Sequence, residues 1–393
     1  MPITLRLGLY YSALFIGNGA SGPYIGVWLH AQGLNGAEIG FILAAPSIAR
    51  VITGPALAVW ADSFEKRRTP MAIVGALVSL LYIAFSIGHG FWWWAAMWFV
   101  SQSLFSSLSP LADVIALRRA RTDGFNFGWP RGLGSGAYIV ANVGMGFLLT
   151  VSQPVAVVIW MTAAIVAASL AAHFILPADP VHEEGERLDR KARWQGLGGL
   201  LKDPPFMLTI ISAGLIQASH AFYYGFSTLA WQAQGLPSSA SGLLWGWGVL
   251  VEIGFLWFME PWRRKVGPER LMILGGVGAV VRWTCLAFSP PMWLLIPVQA
   301  LHALTFTATF IGSLQLIERL SPARSASAAQ TLNSALSGGI FIGIASMAAG
   351  VLFDAVGARG YLAMTACAAL GLSGAIFLKP VQRARGIDLQ TLS

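Results

Sequence analysis

Apolar residues run along this chain in stretches of about twenty, separated by polar links, which is the length a helix needs to cross a bilayer. Twelve such stretches predict transmembrane helices over approximately 5–29, 38–60, 70–88, 92–117, 131–151, 154–176, 206–231, 239–261, 271–289, 292–317, 327–352 and 359–378. Runs so continuous leave helices as the element that satisfies its own backbone in lipid, because barrel strands would alternate over about ten residues. The pattern predicts an all-α integral membrane protein. One arginine precedes the first run and no small-residue cleavage site ends it, so it reads as an uncleaved span.

One link is unlike the rest. Residues 177–204 are long and charged, with His182-Glu183-Glu184-Gly185-Glu186-Arg187-Leu188-Asp189-Arg190-Lys191 at their centre. This divides the chain into an N-terminal six-helix half over 1–176, a cytoplasmic linker over 177–204, a C-terminal six-helix half over 205–380 and a cytoplasmic tail over 381–393. Sliding one half on the other by 202 residues lays Ala31-Gln32-Gly33-Leu34 over Ala233-Gln234-Gly235-Leu236, and Gly40 over Gly242. Two pseudo-symmetric helical halves are a common transporter plan, with the site between them near the midplane.

Composition agrees with the pattern. The 393 residues are 56% hydrophobic and 11% charged, and soluble domains carry about a quarter charged residues. The net charge of +8 raises nucleic acid as a partner until the basic residues are placed. Alternate links hold 21 of the 25 Lys and Arg residues, and the opposite links hold only Arg359. By the positive-inside rule both termini are cytoplasmic, and topology accounts for the charge without nucleic acid. The two cysteines, Cys285 and Cys367, lie in apolar stretches and give neither a disulfide framework nor a metal spacing.

The link after the second span reads Gly54-Pro55-Ala56-Leu57-Ala58-Val59-Trp60-Ala61-Asp62-Ser63-Phe64-Glu65-Lys66-Arg67-Arg68. It resembles the loop signature of the major facilitator superfamily: Asp62, Lys66 and Arg67 fit, while Ala58 and Glu65 stand where that family has Gly. A helix-end Asp beside basic residues is a candidate latch between cytoplasmic helix ends, the alternative being a solvated loop that obeys the charge rule. The second half offers Arg263-Arg264-Lys265-Val266-Gly267 as a counterpart.

Ionisable groups inside spans cost about 2.5–3.5 kcal/mol each on insertion scales and are functional candidates for that reason. On the seventh helix Gln217, His220 and Tyr224 are spaced to share one face, with Tyr223 beside them. Trp245 and Glu252 share a face of the eighth helix, and Gln299, His302 and Thr309 a face of the tenth; Arg282, next to Trp283, lies halfway along the ninth. A polar cavity holding His220, Glu252, Arg282 and His302 would satisfy them and make a site. The slide of 202 lays Arg50 on Glu252 at equivalent depth. An ion pair across a central cavity is one option, and separate partners in each half the other. Arg50 is accordingly grouped with Asp62, Lys66 and Arg67 as a gating candidate. Asp113 and Arg131 match in depth across a 17-residue hairpin, as a structural pair or as substrate contacts, with Ser135, Tyr138 and Asn142 continuing one face of the fifth helix.

The stretch Gln217-Ala218-Ser219-His220-Ala221-Phe222-Tyr223-Tyr224-Gly225-Phe226-Ser227, then Gly242-Leu243-Leu244-Trp245-Gly246-Trp247-Gly248-Val249, Val280-Val281-Arg282-Trp283 and Gln299-Ala300-Leu301-His302-Ala303-Leu304-Thr305-Phe306, resembles the phenylpropionate permease family. The resemblance implies a secondary active transporter: proton-coupled uptake of a small aromatic carboxylate such as 3-phenylpropionate, by alternating access, in the bacterial inner membrane. That family is similar in turn to galactoside:proton symporters, in which Asp113 and Arg131 fall where the sugar is held and Arg282 and His302 fall in the coupling region. Thr305 departs, since the galactoside family has a proton-carrying Glu there. The proton carrier is then expected to be Glu252, next His302, next Asp113.

An aromatic carboxylate needs a cation and apolar walls. Arg282 is the candidate for the first, and Tyr223, Tyr224, Trp245 and Trp283 for the second. The remaining contacts are expected from His302, His220, Asp113, Arg131, Gln217 and Gln299. The chain is expected to act as a monomer on a small-molecule substrate in the lipid bilayer, with the proton as coupling ion and no cofactor or metal. The alternative is a proton-coupled symporter of a neutral sugar or nucleoside, for which Asp113, Asn142, Gln217 and Gln299 supply hydroxyl-binding groups. An efflux antiporter fits less well, because Gly144-Met145-Gly146 lacks the Gly-Pro signature of that class. An enzyme is not expected, since there is no His-Glu-x-x-His, Gly-x-Ser-x-Gly or phosphate loop. The two-half repeat disfavours a receptor without transport.

Overall fold

A computed structural model of the chain describes residues 1–180, 197–322 and 326–384. The charged centre of the expected linker, His182 to Lys191 with Arg193, the loop residue Arg324 and the tail from Arg385 onward lie outside the described residues. Among the described residues there is no strand beyond one isolated bridge between Lys66 and Pro180, and the architecture is all helical. The main helices are α1 (Ile3–Ala31), α2 (Gly36–Ala61), α3 (Arg68–Ile87), α4 (Phe91–Phe105), α5 (Leu108–Asp123), α6 (Gly128–Val151), α7 (Val155–Phe174), α8 (Pro204–Ala218), α9 (Ala221–Ala233), α10 (Ser238–Phe258), α11 (Pro268–Ala287), α12 (Met292–Ala300), α13 (Thr309–Leu320), α14 (Ala326–Ala335), α15 (Ile342–Val356) and α16 (Tyr361–Ala384).

Ten helical stretches are long and apolar enough to cross a membrane, where the sequence predicts twelve spans. The difference has two causes. The stretch Ala329–Gln382 runs over both of the last two predicted spans, and α1 is not among the ten. That helix carries Tyr10, Tyr11, Asn18 and Ser21; both tyrosines are buried in the protein and Tyr11 donates to Asp113, so the helix need not be uniformly apolar.

Local chemistry sets the helix ends. Asn35 and Glu38 form a reciprocal capping box that starts α2. Asp203 caps α8 by accepting from the Phe206 amide at 3.2 Å, and Gly124 closes α5 with φ 73°. Two predicted spans break in mid-course because side chains claim helix carbonyls. At the α4–α5 junction the Ser106 and Ser107 hydroxyls donate to Ser103 and Leu104 oxygens at 2.9 and 2.7 Å. At the α8–α9 junction Ser219 Oγ donates to Ile216 O at 2.6 Å, and His220 Nδ1 lies 3.2 and 3.1 Å from the Ile216 and Gln217 oxygens. The tenth predicted span breaks at Leu301, and a π-helical turn, Ala303–Ala308, joins it to α13. A second π turn, Leu336–Phe341, joins α14 to α15.

The described chain forms two compact units, Met1–Glu186 with Tyr224–Gly246, and Arg187–Tyr223 with Trp247–Ser393. The segment Tyr224–Gly246, expected in the second half, therefore groups with the first. Glycines make this possible by letting backbones touch. A Cβ on Gly242 would lie 2.5 Å from Asn142 O, and one on Gly26 would lie 2.6 Å from Gly225 O. Tyr24 Oη lies 3.2 Å from both the Asn142 and the Ser238 oxygens, tying α1 to α6 and to the start of α10.

At one rim of the first unit the segment after α7 binds the helix ends together. Asp179, 1% exposed, forms ion pairs with Arg119 Nε at 2.9 Å and Arg118 Nη1 at 3.2 Å, and its carbonyl accepts from the Arg67 amide at 2.9 Å. Arg68 Nη1 donates to Leu176 O at 3.3 Å, and Arg6 Nε donates to Ile175 O. The acid that bridges this rim is Asp179. Asp62, expected in that role, is exposed at the end of α2 and makes no ion pair or side-chain hydrogen bond among the described residues. In the second unit buried Glu269, at the start of α11, pairs with Arg319 near the end of α13.

Gly242→Val places a branched side chain against the Asn142 carbonyl. It should destabilise the protein by about 1–3 kcal/mol, read as a lower melting temperature of the detergent-purified protein; an unchanged melting temperature would contradict this backbone contact.

Candidate functional site

The second unit encloses Arg282, on α11, completely: its exposure is 0%. Its Nη1 donates to His302 Nδ1 at 2.9 Å and to Thr305 Oγ1 at 3.1 Å, and its Nη2 donates to Gln299 Oε1 at 2.6 Å. The guanidinium carbon sits 4.6 Å from the centre of the Tyr223 ring and 4.7 Å from that of Trp283, both within cation–π range. Trp283 Nε1 donates to Ser219 Oγ at 2.7 Å and its ring stacks on Tyr361.

Donor and acceptor roles follow from the arginine, which only donates. His302 Nδ1 must accept from it, so in the neutral ring the hydrogen sits on Nε2, which faces Glu252 Oε2 at 3.4 Å. A neutral imidazole thus bridges a cation and an acid. The Glu252 side chain is 20% exposed and forms the open end of the relay; the His302 side chain is 9% exposed. His220 Nδ1 faces two carbonyls and carries its hydrogen there, leaving Nε2 to accept from the Thr305 hydroxyl at 3.0 Å. Gln217 Nε2 donates to Phe306 O at 3.1 Å, holding the π turn against α8.

The structure therefore brings together Arg282, His302, His220, Tyr223, Gln217, Gln299 and Glu252. Its hub is Thr305, which the sequence marks only as a departure from the galactoside pattern. The Nη1 and Nη2 atoms of Arg282, expected to clamp a ligand carboxylate, are occupied by the protein's own acceptors. Tyr224 does not follow Gln217 and His220: it belongs to the first unit, where its ring lies 6.0 Å from that of Trp245, whose Nε1 donates to Ser227 at 3.1 Å. Thr309, expected on the face of His302, lies against Gly275 of α11, two turns before the Arg282 that His302 bonds.

The first unit holds a second cluster. Arg131 Nη1 meets Asp113 Oδ1 at 2.8 Å and Ser109 Oγ at 2.9 Å, and Tyr11 donates to the same carboxylate oxygen at 2.6 Å. The Arg131 guanidinium also covers the Tyr11 and Phe15 rings, at 5.4 and 5.0 Å. The expected Asp113–Arg131 pair is present, and Tyr11, on α1, is the partner that residue spacing does not reveal.

Beside this cluster lies a cavity of about 250 Å³, lined by Asn18 of α1, Ser47 and Arg50 of α2, Trp98 and Gln102 of α4 and Ser109 of α5. Arg50 opens into it and makes no ion pair, hydrogen bond or ring contact among the described residues. Glu252 has its partner, His302, in its own unit. Of the other gating candidates, Lys66 takes part in the backbone bridge to Pro180 and Arg67 in the contact to Asp179. Among the described residues no three His, Cys, Asp or Glu side chains converge as metal ligands.

The sequence profile of the MFS_1-like family matches residues 4–363. The chain belongs to that family. This transporter is 28% identical over 380 residues to the probable 3-phenylpropionic acid transporter of Escherichia coli (strain K12), covering 96% of this chain and 97% of the relative. It is 25% identical over 385 residues to the maltose permease of Geobacillus stearothermophilus, covering 96% of this chain and 95% of that one. In fold it is similar to the crystal structure of the nucleoside transporter NupG, with a TM-score of 0.83 at 15% identity over 97% of this chain and 99% of the other. The all-helical architecture is thus that of the major facilitator transporters, and the chain is a multi-pass membrane protein.

Thr305→Val keeps the shape at the hub and removes its hydroxyl. Arg282 Nη1 and His220 Nε2 each lose a partner in a dry site, so the transporter should lose about 1–3 kcal/mol of stability, while Thr305→Ser stays near wild type. Equal melting temperatures for Thr305→Val and wild type would remove Thr305 from the hub.

Proposed function

We propose that this transporter carries out proton-coupled uptake of a small aromatic carboxylate, such as 3-phenylpropionate, across the bacterial inner membrane by alternating access. The proposal includes twelve spans and cytoplasmic termini, as the distribution of basic residues favours. The observation that carries it is the relay from the partly open Glu252 through neutral His302 to buried Arg282. A proton that enters at Glu252 cancels the acid of the relay and leaves the arginine charge without its counterpart.

Charge bookkeeping favours an anionic cargo. The five acidic and Arg groups read inside spans are Arg50, Asp113, Arg131, Glu252 and Arg282, three cations against two acids when all are ionised. Protonating Glu252 raises the net charge by one, and a carboxylate substrate returns it to its starting value. Moving charge within a membrane protein is expensive, so a carrier that takes proton and anion together reorients with the same internal charge loaded or empty. A neutral cargo gives no such balance. The cavity beside Arg50, about 250 Å³, is below the roughly 300–1,000 Å³ common for drug-sized ligands, which suits a one-ring acid better than a disaccharide.

A second reading, a proton-coupled symporter of a neutral sugar or nucleoside, draws on the partly exposed Asp113–Arg131 pair, with buried Tyr11 behind it, as a hydroxyl-binding set. Purified protein in liposomes with an inward proton gradient separates the two. Labelled aromatic acids should accumulate, and uptake confined to maltose or nucleosides would sink the leading reading. Glu252→Gln should abolish gradient-driven accumulation and leave substrate exchange intact; accumulation that survives the substitution excludes Glu252 as the proton carrier.

A further inference from the structure

An aromatic carboxylate needs a cation it can reach. Arg282 does not offer one: it is 0% exposed, both of its terminal nitrogens donate to protein acceptors, and the Tyr223 and Trp283 rings lie against it. Arg131 is committed to Asp113, so that pair carries no net charge. Arg50 is different in each respect. It opens into a cavity, it has no acid or hydrogen-bond acceptor in contact among the described residues, and it lies within a membrane-spanning helix, where an uncompensated cation is costly.

We propose that Arg50 is the cation that binds the substrate carboxylate, in the first-unit cavity walled by Trp98 and Phe105 and edged by Ser47, Asn18 and Gln102.

The inference rests on the aromatic-carboxylate reading above and supplies the ligand contact that Arg282 leaves open. The planar fork of an arginine matches a carboxylate in two parallel hydrogen bonds. Ser47 is one turn before Arg50 on α2, so both side chains address the same space. Two aromatic rings in the wall give a one-ring ligand an apolar bed within the same cavity. Ser109 shares the wall with this cavity and holds Arg131, so the Asp113–Arg131 pair borders the site without contributing a free charge.

The test uses the full chain in liposomes, with exchange of labelled 3-phenylpropionate competed by unlabelled 3-phenylpropionate or by its uncharged amide. Wild type should prefer the acid. Arg50→Gln should raise the half-competing concentration of the acid by about 10- to 100-fold, the worth of a charge-assisted hydrogen-bond pair, and leave that of the amide unchanged; Arg50→Lys should fall between. Ser47→Asp keeps Arg50 and supplies it with a competing carboxylate, so it should weaken the acid in the same direction. Whichever of these variants elutes as a single folded species is informative alone. An Arg50→Gln or Ser47→Asp protein that still prefers acid to amide as wild type does overturns the assignment of Arg50 and leaves the aromatic-acid reading standing. A wild-type protein that exchanges only nucleosides or maltose overturns both.

Discussion

A guanidinium kept fully away from water must be met by the protein's own acceptors, and the second unit is arranged around that requirement. Arg282 collects an imidazole nitrogen, a threonine hydroxyl and an amide oxygen, with the Tyr223 and Trp283 rings beside it. In a low-dielectric interior each of these is stronger than it would be in water, and each is costly to leave unmade. The acceptors come from one short region, 299–305, in which a regular α-helix would set Thr305 about 120° around the axis from Gln299. The break at Leu301 and the π turn that follows gather Gln299, His302 and Thr305 on the arginine. The break at Ser219 and His220 similarly delivers an indole acceptor and an imidazole. Irregular backbone appears where the polar chemistry is, as expected of spans whose freed carbonyls find partners inside the protein.

The first unit solves a different problem. Its ion pairs are partly exposed: Arg131 and Asp113 are 37% and 30% exposed in their side chains, and Asp179 is the buried acid beneath partly exposed Arg118 and Arg119. Salt bridges are affordable there because desolvation is partial. Asp179 ties the end of α5 and the α2–α3 link to the chain just before the linker, so that rim behaves as one piece.

Much of this was legible in the chain. Apolar run length sets the helical class, and the intramembrane residues Arg282, His302, His220, Gln217, Gln299 and Glu252 do converge, because lipid leaves polar groups nowhere else to go. Facial spacing misleads where it presumes an unbroken α-helix. Tyr224 does not sit with Gln217 and His220, because the helix breaks at His220 itself. Thr305 and Tyr11 escaped notice because a hydroxyl in an apolar run carries no charge signal, although it serves as well as a charged group once buried. Asp62 stood in a recognisable loop pattern while Asp179 stood in none, so the pattern drew attention to the exposed acid and away from the buried one. The ends of the α1, α6 and α10 contact were hidden too, since glycines at close approaches look like any others in a chain with 44 of them.

The π turn over Ala303–Ala308 also bears on how this chain is compared with its relatives. One additional residue in a helical turn rotates everything beyond it by about 100°. A relative with a regular helix there would share the residues of α13 in sequence while presenting them on another face. Alignment column and spatial position therefore part company after His302. A polar group at the column of Thr309 or beyond in such a relative corresponds in space to a neighbouring residue here, and equivalence in this stretch has to be judged by direction around the helix axis.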